Sequence, residues 1–432
     1  MRRSAHSVLL RIDDVRGFLV VARWVRLISI LRRWAPFILV AAVAARLAWI
    51  AFVPNATNFL DLHVYVDGAA EIVSGDLYAF RYSANTPEFP LPFTYPPFAA
   101  LVFFPLSLLP FGFVAVAWQL GTVAALFGVV RICQQLMLGS EVAKNARYSR
   151  EAMLWTAVGM WSEPVRTTLD YGQINVFLVL LIMVAVRSSR WWVSGLLVGV
   201  AAGIKLTPAI AGLYFVAQRR YLAAAFSAVV FFGTVGVSWV LIRDETREYI
   251  RSYFGDADRI GPVASVWNQS VFGAVHRFGV SDNYVHVVWG IAVVVCVVAA
   301  FVAWRSLASG DKLGVLLVVQ LLGLLISPVS WSHHWVWVLP LVLWLVYGPF
   351  SGMRGARGLA IVWGAAVMVG VPWLLSFQQD TIWTVVDPPI LVWFALVYVV
   401  GALTIFGWMV WCGRRGSLTL PAGPDSVSLS SR

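Results

Sequence analysis

The chain has 432 residues, of which 60% are hydrophobic and 12% are charged, and its formal net charge is +11. Length alone would allow two or three soluble domains, but apolar stretches recur from Pro36 to Cys412, and each pass through a bilayer needs roughly 20 such residues. The composition therefore excludes a soluble protein, and the arginines, which lie between apolar runs as in cytoplasmic loops, exclude nucleic acid as a partner.

Residues 1–35 are predicted to form a basic amphipathic segment on the cytoplasmic face. Arginine alternates with apolar residues from Arg23 to Arg33, a pattern typical of a helix on the anionic inner leaflet. The start of the chain is basic but lacks the continuous apolar core of a cleavable signal peptide. At the other end, residues 413–432 are rich in Ser, Gly and Pro and are predicted to be a disordered cytoplasmic tail.

Residues 36–412 are predicted to form one transmembrane domain of an all-α polytopic membrane protein. Hydropathy and arginine positions predict about 12 transmembrane helices with both termini in the cytoplasm. Prolines interrupt the run from 95 to 136, and the runs near 152–163, 175–186, 191–204 and 207–216 are shorter than a full span. Such interruptions are tolerated at membrane depth only where the backbone is buried in protein or lines a cavity. Residues 54–95 and 243–284 become outer loops, and the first is expected to carry short interfacial helices.

Five polar motifs interrupt the apolar background. They are LDLHVY (60–65), SEPVRTTLDYGQIN (162–175), GIKLTP (203–208), SVWNQS (265–270) and SPVSWSHH (327–334). The predicted path of the chain through the membrane uses only hydropathy and arginine positions, so these motifs could fall on either face. All five nevertheless fall on the outer face. This agreement predicts one extracytoplasmic cavity lined by residues that are distant in the chain.

Asp61 lies at the predicted start of a helix in the first outer loop. It shares a helix face with Tyr65, and His63 shares one with Asp67, because both pairs are four residues apart. A carboxylate at a helix start is typically a cap that stabilises the helix by about 1 kcal/mol. Spacing alone therefore leaves Asp61 open as a cap or as a reactive group, and His63 with Asp67 open as a surface pair.

Two motifs place cationic or titratable side chains beside apolar segments. Lys205 lies between two short segments, where an ammonium usually faces a cavity or a partner. The alternative is a lysine whose stem packs in the apolar region while its head reaches water. His333 and His334 are adjacent, so one could face a cavity while the other packs or caps. Adjacent histidines rarely chelate one ion, so no metal site is predicted.

Uncharged amides in two motifs suit the hydroxyl groups of a sugar, although each could instead cap a helix. These candidates are Gln173, Asn175, Asn268 and Gln269, and Asp170 is a further candidate that could be an ordinary loop carboxylate. Asp256 and Asp258 match a motif that holds a metal against a nucleotide sugar. Their loop is predicted outside, where nucleotide sugars are not supplied, so neither a metal nor another cofactor is predicted.

A carboxylate, an ammonium, imidazoles and amides around an outer cavity suit the transfer of a sugar from a lipid phosphate. Lys205 and one of His333 and His334 could stabilise the charge that develops on the departing phosphate. The attacking sugar hydroxyl is weakly acidic and needs a carboxylate within hydrogen-bond reach as general base. Asp61 is the candidate for that base.

These motifs resemble those of the family-87 glycosyltransferases of actinobacteria, which have the GT-C fold. The resemblance rests on LDLHVYVDGAA (60–70), FPLPFTYPPFAALVFFPL (89–106), GQIN (172–175), GIKLTP and SPVSWSHHWVW (327–337), and it covers nearly all of residues 36–412. It implies that this region is a GT-C transmembrane domain and that Asp61 is the family's essential aspartate. The family's histidine pair corresponds to His333 and His334, and the resemblance does not indicate which of them contacts phosphate.

The resemblance further implies a reaction and its partners. Mannose would pass from polyprenyl-phosphate-mannose to a phosphatidylinositol tetramannoside, forming an α-1,2 linkage with inversion at the periplasmic face of the plasma membrane. The substrate-binding candidates are Lys205, His63, Tyr65, Tyr95, Asp170, Gln173, Asn175, Asn268, Gln269 and Trp331. Two alternatives remain: a transporter or flippase of lipid-linked sugars, which needs no carboxylate base, and a GT-C transferase that uses another polyprenyl-phosphate sugar. The oligomeric state is not predicted.

Overall fold

The computed structural model describes residues 2–53, 57–84, 86, 89–256, 259–382, 384–386 and 388–415, with side chains from Arg26 onward. Most of these residues are helical. The first helices are α1 Arg2–Phe52, α2 Leu60–Ala70, α3 Pro97–Ser107, α4 Phe111–Leu138, α5 Ser140–Lys144, α6 Ala146–Gly159, α7 Glu163–Tyr171, α8 Asn175–Arg187, α9 Trp191–Ile204 and α10 Ala211–Ala217. The others are α11 Tyr221–Leu241, α12 Arg243–Glu248, α13 Val271–Arg277, α14 Asp282–Arg305, α15 Lys312–Ile326, α16 Val338–Tyr347, α17 Ala356–Val369, α18 Val371–Ser376 and α19 Val397–Arg415.

Short irregular helices and one small hairpin complete the described structure. Turns of 3₁₀-helix span Thr207–Ile210, Ser332–Trp337 and Pro389–Leu396, and a π-helical turn spans Tyr249–Tyr253. The hairpin pairs β1 (Arg81–Tyr82) with β2 (Leu91–Pro92) in antiparallel register. Together with α2 and α3, it encloses a small apolar core that includes Leu62, Tyr65, Phe93 and Phe103.

Six helical segments of the described chain are long and apolar enough to cross a membrane, which confirms the prediction of an all-α polytopic membrane protein. They are Arg26–Phe52, Phe111–Leu138, Tyr221–Leu241, Asp282–Arg305, Ala356–Ser376 and Pro389–Arg415. A seventh would be formed by α7 and α8 together, which meet at a bend of 118°. Five shorter apolar segments of 10–17 residues lie among them, including α3, α9 and α15.

The short segments begin and end close to where the sequence predicted. α8 and α9 start at the expected residues, Asn175 and Trp191. The run predicted at 152–163 instead divides, because α6 ends at Gly159 and α7 starts at Glu163 with Pro164 in its first turn. Proline is favoured there because the first amides of a helix have no intrahelical partner.

Two glycines allow the close packing that positions the polar motifs. Gly172 ends α7 with a φ of 70°, and a Cβ at this position would lie 2.5 Å from the Leu62 Cβ. Gly199 lets α9 approach α11, because a Cβ there would lie 2.5 Å from the Val230 Cβ. The start of α2 therefore packs directly against the turn between α7 and α8, and α9 packs closely against α11.

The two ends of the chain are only partly described. α1 runs without a break from Arg2 to Phe52, so the predicted amphipathic segment and the first membrane segment share one helix. Within this helix, Arg32 forms an ion pair with Glu151 of α6. α19 continues to Arg415, and residues 416–432 of the predicted tail lie outside the described residues, as does Asp258 of the discounted metal motif.

Candidate active site

Asp61 lies in the first turn of α2, but it does not cap the helix. The N-cap residue is Phe59, which has a left-handed φ of 49° and makes no side-chain capping bond. Its backbone amide instead donates to the Asp170 carbonyl at 3.0 Å, which ties the start of α2 to α7. The Asp61 carboxyl accepts a hydrogen bond from the side chain of Gln173. The structure therefore places Asp61 against the GQIN motif.

The Gln173 side chain connects several of the predicted residues. Its Oε1 accepts from the Tyr65 hydroxyl at 2.9 Å and from the Lys205 Nζ at 3.4 Å. The Tyr95 hydroxyl lies 2.8 Å from that of Tyr65 and 3.4 Å from the same amide oxygen. Residues from four separate stretches of the chain thus meet at one buried amide, as the prediction of a shared cavity requires.

Lys205 is the cation of this group. It follows α9 in an extended conformation, and only 9% of the residue is exposed. Its Nζ donates to the Asn175 Oδ1 at 2.9 Å, lies 3.2 Å from the His334 Nε2, and stands 5.4 Å from the centre of the Tyr95 ring. Lys205 takes part in none of the ion pairs of the described chain. The hydrogen-bond partners of this buried ammonium are neutral, and the Asp61 carboxyl is the charged group near it, so the ammonium can still bind an anion.

His333 and His334 lie in the 3₁₀ turn Ser332–Trp337 and point in different directions. Their ring planes cross at 85°. The His334 ring faces Lys205, whereas the His333 ring packs on its edge against Tyr171, and its Nε2 has no hydrogen-bond partner among the described residues. The His333 carbonyl accepts from the Asn175 amide at 2.8 Å, which fixes the turn against α8. Both histidines therefore border the same region, but only His334 contacts the lysine.

We call this group of residues the Gln173 cluster: Asp61, Tyr65, Tyr95, Gln173, Asn175, Lys205 and His334. Burial raises the pKa of the Asp61 carboxyl from 3.8 to about 6, and the nearby Lys205 ammonium and the Gln173 hydrogen bond limit that rise. Asp61 is thus a carboxylate above about pH 6 with a stronger affinity for a proton than an ordinary aspartate. This is the property that a general base near neutral pH needs.

Two other predicted residues have their side chains engaged beside the cluster. Asp170 forms an ion pair with Arg46 at 2.6 Å, and Arg46 also donates to the Thr57 hydroxyl at 3.3 Å. His63 pairs with Asp67 at 2.8 Å, and its ring is stacked between those of Tyr82 and Phe111, with centres 4.7 and 3.8 Å away. The structure does not bring either side chain into contact with the Gln173 cluster.

The SVWNQS motif supports the histidine turn. Asn268 donates to the Val263 carbonyl at 2.9 Å and accepts from the Ser330 amide at 2.9 Å, and it forms an isolated β-bridge with Trp331. Gln269 donates to the Ala395 carbonyl at 2.9 Å. The Asn268 side chain thus holds the backbone that leads into His333, whereas the Gln269 side chain holds the segment at Ala395. Both side chains bind protein groups in this structure. Trp331 is half-buried and packs beside Gly261.

The sequence profile of glycosyltransferase family 87 matches residues 93–328. The chain belongs to glycosyltransferase family 87. It is 54% identical over 389 residues, covering 90% of this chain and 93% of the relative, to a polyprenol-phosphate-mannose-dependent alpha-(1-2)-phosphatidylinositol pentamannoside mannosyltransferase of Mycolicibacterium smegmatis. A protein of the same name from Mycobacterium tuberculosis strain CDC 1551 is 53% identical over 378 residues, with 87% of each chain covered.

A more distant relative lies within the same group of enzymes. It is a polyprenol-phosphate-mannose-dependent alpha-(1-2)-phosphatidylinositol mannoside mannosyltransferase of Mycobacterium tuberculosis strain H37Rv, 33% identical over 395 residues, with 86% of this chain and 91% of the relative covered. No solved structure matches the chain. The family resemblance read from the motifs is confirmed.

The sequence analysis did not single out several buried polar residues of this family-87 chain, among them Arg46, Glu163 and Gln320. Arg46 is inside the first apolar run, Glu163 accepts a hydrogen bond from the Tyr398 hydroxyl, and Gln320 interrupts the apolar helix α15. A charged or amide side chain within an apolar run is costly unless it has a partner or a function, and this signal could have identified Arg46 and Gln320. The role of Glu163 depends on a contact 235 residues away, which no local pattern reveals.

Proposed function

We propose that this protein transfers mannose from polyprenyl-phosphate-mannose to a phosphatidylinositol tetramannoside and forms an α-1,2 linkage with inversion. The proposal is carried by one observation: the carboxyl of Asp61 and the ammonium of Lys205 both contact the Gln173 side chain. A base for the acceptor and a cation for the leaving phosphate therefore stand side by side. The names of the two relatives with 54% and 53% identity support mannose as the sugar and a phosphatidylinositol mannoside as the acceptor.

The mechanism follows from the positions of these groups. Asp61 takes the proton of an acceptor hydroxyl while the oxygen of that hydroxyl attacks the anomeric carbon of the donor mannose. The bond from that carbon to the phosphate oxygen breaks, and the electron pair leaves with the polyprenyl phosphate. Lys205 stabilises the charge on this phosphate together with His334 or His333. One carboxylate is enough, because a single displacement needs a base and no carboxylate nucleophile.

The other predicted residues receive two kinds of role in this proposal. Tyr65, Tyr95, Gln173 and Asn175 line the reaction centre and bind the substrates. Asp170, Asn268, Gln269 and His63 shape the site through the protein groups that their side chains bind. We place Trp331 at the edge of the cavity, where an indole can pack against a sugar ring.

We further propose a GT-C fold of about 12 transmembrane helices, with cytoplasmic termini and a periplasmic active site. The arginine distribution supports this orientation, because the segments that carry the Gln173 cluster alternate with arginine-bearing connections. Single cysteines introduced at Ser74 and Asp76, which are exposed residues after α2, should react with a membrane-impermeant maleimide on intact cells. A cysteine at Lys312 should react only after lysis. The reverse pattern would contradict the orientation.

The transfer reaction itself is the direct test. Purified protein in lipid nanodiscs, given polyprenyl-phosphate-mannose and a phosphatidylinositol tetramannoside, should form a pentamannoside that an α-1,2-mannosidase trims. GDP-mannose in place of the lipid donor should give no product. Movement of the donor across a liposome membrane without a covalent product would support a flippase instead. Product formed only with another polyprenyl-phosphate sugar would replace mannose in the proposal.

A further inference from the structure

Gln320 is a polar residue in the middle of the apolar helix α15, within the sequence LLVVQLLGLL. Only 4% of the residue is exposed, and its side-chain nitrogen has no hydrogen-bond partner among the described residues. A buried amide that lacks a partner is destabilising, and inside a membrane domain such groups usually face a functional cavity. The question is therefore what the Gln320 amide binds.

The Gln320 side chain lines a cavity of about 50 Å³ that adjoins the Gln173 cluster. Asn175 and His334 also line this cavity, and both contact the Lys205 Nζ. Lys205 in turn contacts Gln173, which holds Asp61. The cavity is thus connected to the cation of the cluster through two direct contacts.

The walls of the cavity differ in polarity. Thr207, Ser330 and Gln320 add hydrogen-bonding groups to those of Asn175 and His334, and the remaining lining side chains are mostly aliphatic: Leu178, Val179, Ile182, Ile210 and Leu324. The volume accommodates one or two waters or a group of similar size, since a water occupies about 30 Å³ in the liquid. Such a site suits a small polar group attached to an apolar chain.

We propose that the Gln320 amide binds the phosphate of the polyprenyl phosphate, as a residue of the donor site in addition to Lys205 and the histidines. This inference rests on the proposed function for the identity of the lipid. A phosphate oxygen only accepts hydrogen bonds, and Gln320, a residue of the cavity wall, carries an NH₂ donor that has no partner among the described residues. The cavity has room for one or two oxygens of this phosphate, so the isoprenoid chain lies outside it.

The test is a binding titration on the full-length protein in nanodiscs, with polyprenyl phosphate as the probe. Gln320→Leu should weaken binding by about 10- to 100-fold, as expected for the loss of one hydrogen bond to a charged group. Gln320→Glu should weaken it further, because a carboxylate repels the phosphate. Binding of a phosphatidylinositol mannoside should be unchanged in both variants.

Gln134→Leu is the matched control. Gln134 is equally buried in a membrane helix, but its side chain bonds Arg131 and the Tyr148 carbonyl, outside this cavity. This variant should bind polyprenyl phosphate like the wild type. Equal binding by folded Gln320→Leu would overturn the proposal, and so would weakened binding of the phosphatidylinositol mannoside alone, which would assign the amide to the acceptor.

Two further results keep the inference separate from folding defects and from the proposed function. A polyprenyl phosphate with a photoreactive group on its first isoprene unit should label α15 or Thr207–Ile210 of the wild type, and labelling confined to other segments would contradict the proposal. If the wild type shows Gln320-dependent binding but no mannose transfer, the proposed function fails and this inference stands. If mannose is transferred and the donor KM of Gln320→Leu is unchanged, this inference alone fails.

Discussion

Asp61→Asn is expected to lower kcat for mannose transfer by about 10³-fold, within the range that a positioned general base contributes. The asparagine keeps the shape of the side chain and its contact with Gln173 but cannot accept the proton of the acceptor hydroxyl. Donor and acceptor should therefore still bind with nearly normal affinity. The measurement is single-turnover transfer in nanodiscs, with separate binding titrations for the two lipids.

The pH dependence provides a second readout of the same group. Because the pKa of Asp61 is raised to about 6, kcat/KM of the wild type should be constant above this pH and fall as the pH decreases through it. This acidic limb should be absent from the residual activity of Asp61→Asn. Asp76→Asn, which alters an exposed carboxylate after the same helix, should keep both the rate and the limb. Wild-type turnover by folded Asp61→Asn would remove this residue from the base role.

Lys205→Met is expected to lower kcat/KM for the donor by about 10²- to 10³-fold, because it removes the cation that stabilises the leaving phosphate. Methionine retains much of the aliphatic stem, so the packing beside Tyr95 should be preserved. The acceptor KM should change little. The acidic limb should also move to higher pH, since the ammonium no longer lowers the pKa of Asp61.

Lys312→Met is the matched control for this experiment. The chain has three lysines, and Lys312 is exposed at the start of α15, remote in sequence from the motifs. Its replacement should leave both the donor kinetics and the pH profile unchanged. If Lys205→Met used the donor normally, the lysine would instead be a residue whose stem packs in the apolar region while its head reaches water.

Local patterns in the sequence were sufficient to predict the class of protein and its family. Apolar runs of membrane length and arginines between them are local features, so the polytopic helical architecture and the starts of α8 and α9 could be predicted. The family assignment followed from contiguous motifs, of which the stretch at 60–70 is one. The predicted membrane topology placed the motifs of four residues on the same face. It therefore also predicted that these residues converge: Asp61, Gln173, Lys205 and His334.

Individual contacts were decided only by the tertiary structure. Asp170, Asn268 and Gln269 looked equivalent to Gln173 and Asn175 in the sequence, because a polar side chain in a turn has the same local pattern whichever group it meets. Packing separates them: Asp170 meets Arg46, Asn268 and Gln269 meet backbone groups, and Gln173 joins Asp61 to Lys205.

For the same reason, the sequence alone could not assign the roles of Asp61 in α2 and of Gln320 in α15. A helix cap was one expectation for Asp61, but the structure has Phe59 in that position. The ligand proposed for Gln320 depends on the cavity that its side chain lines. The sequence thus determined that the chain is a polytopic helical membrane protein and which polar motifs interrupt its apolar runs. The tertiary structure decided their partners, because hydrogen bonds between segments more than a hundred residues apart depend on how helices pack, and helix packing leaves no periodic signal in the chain.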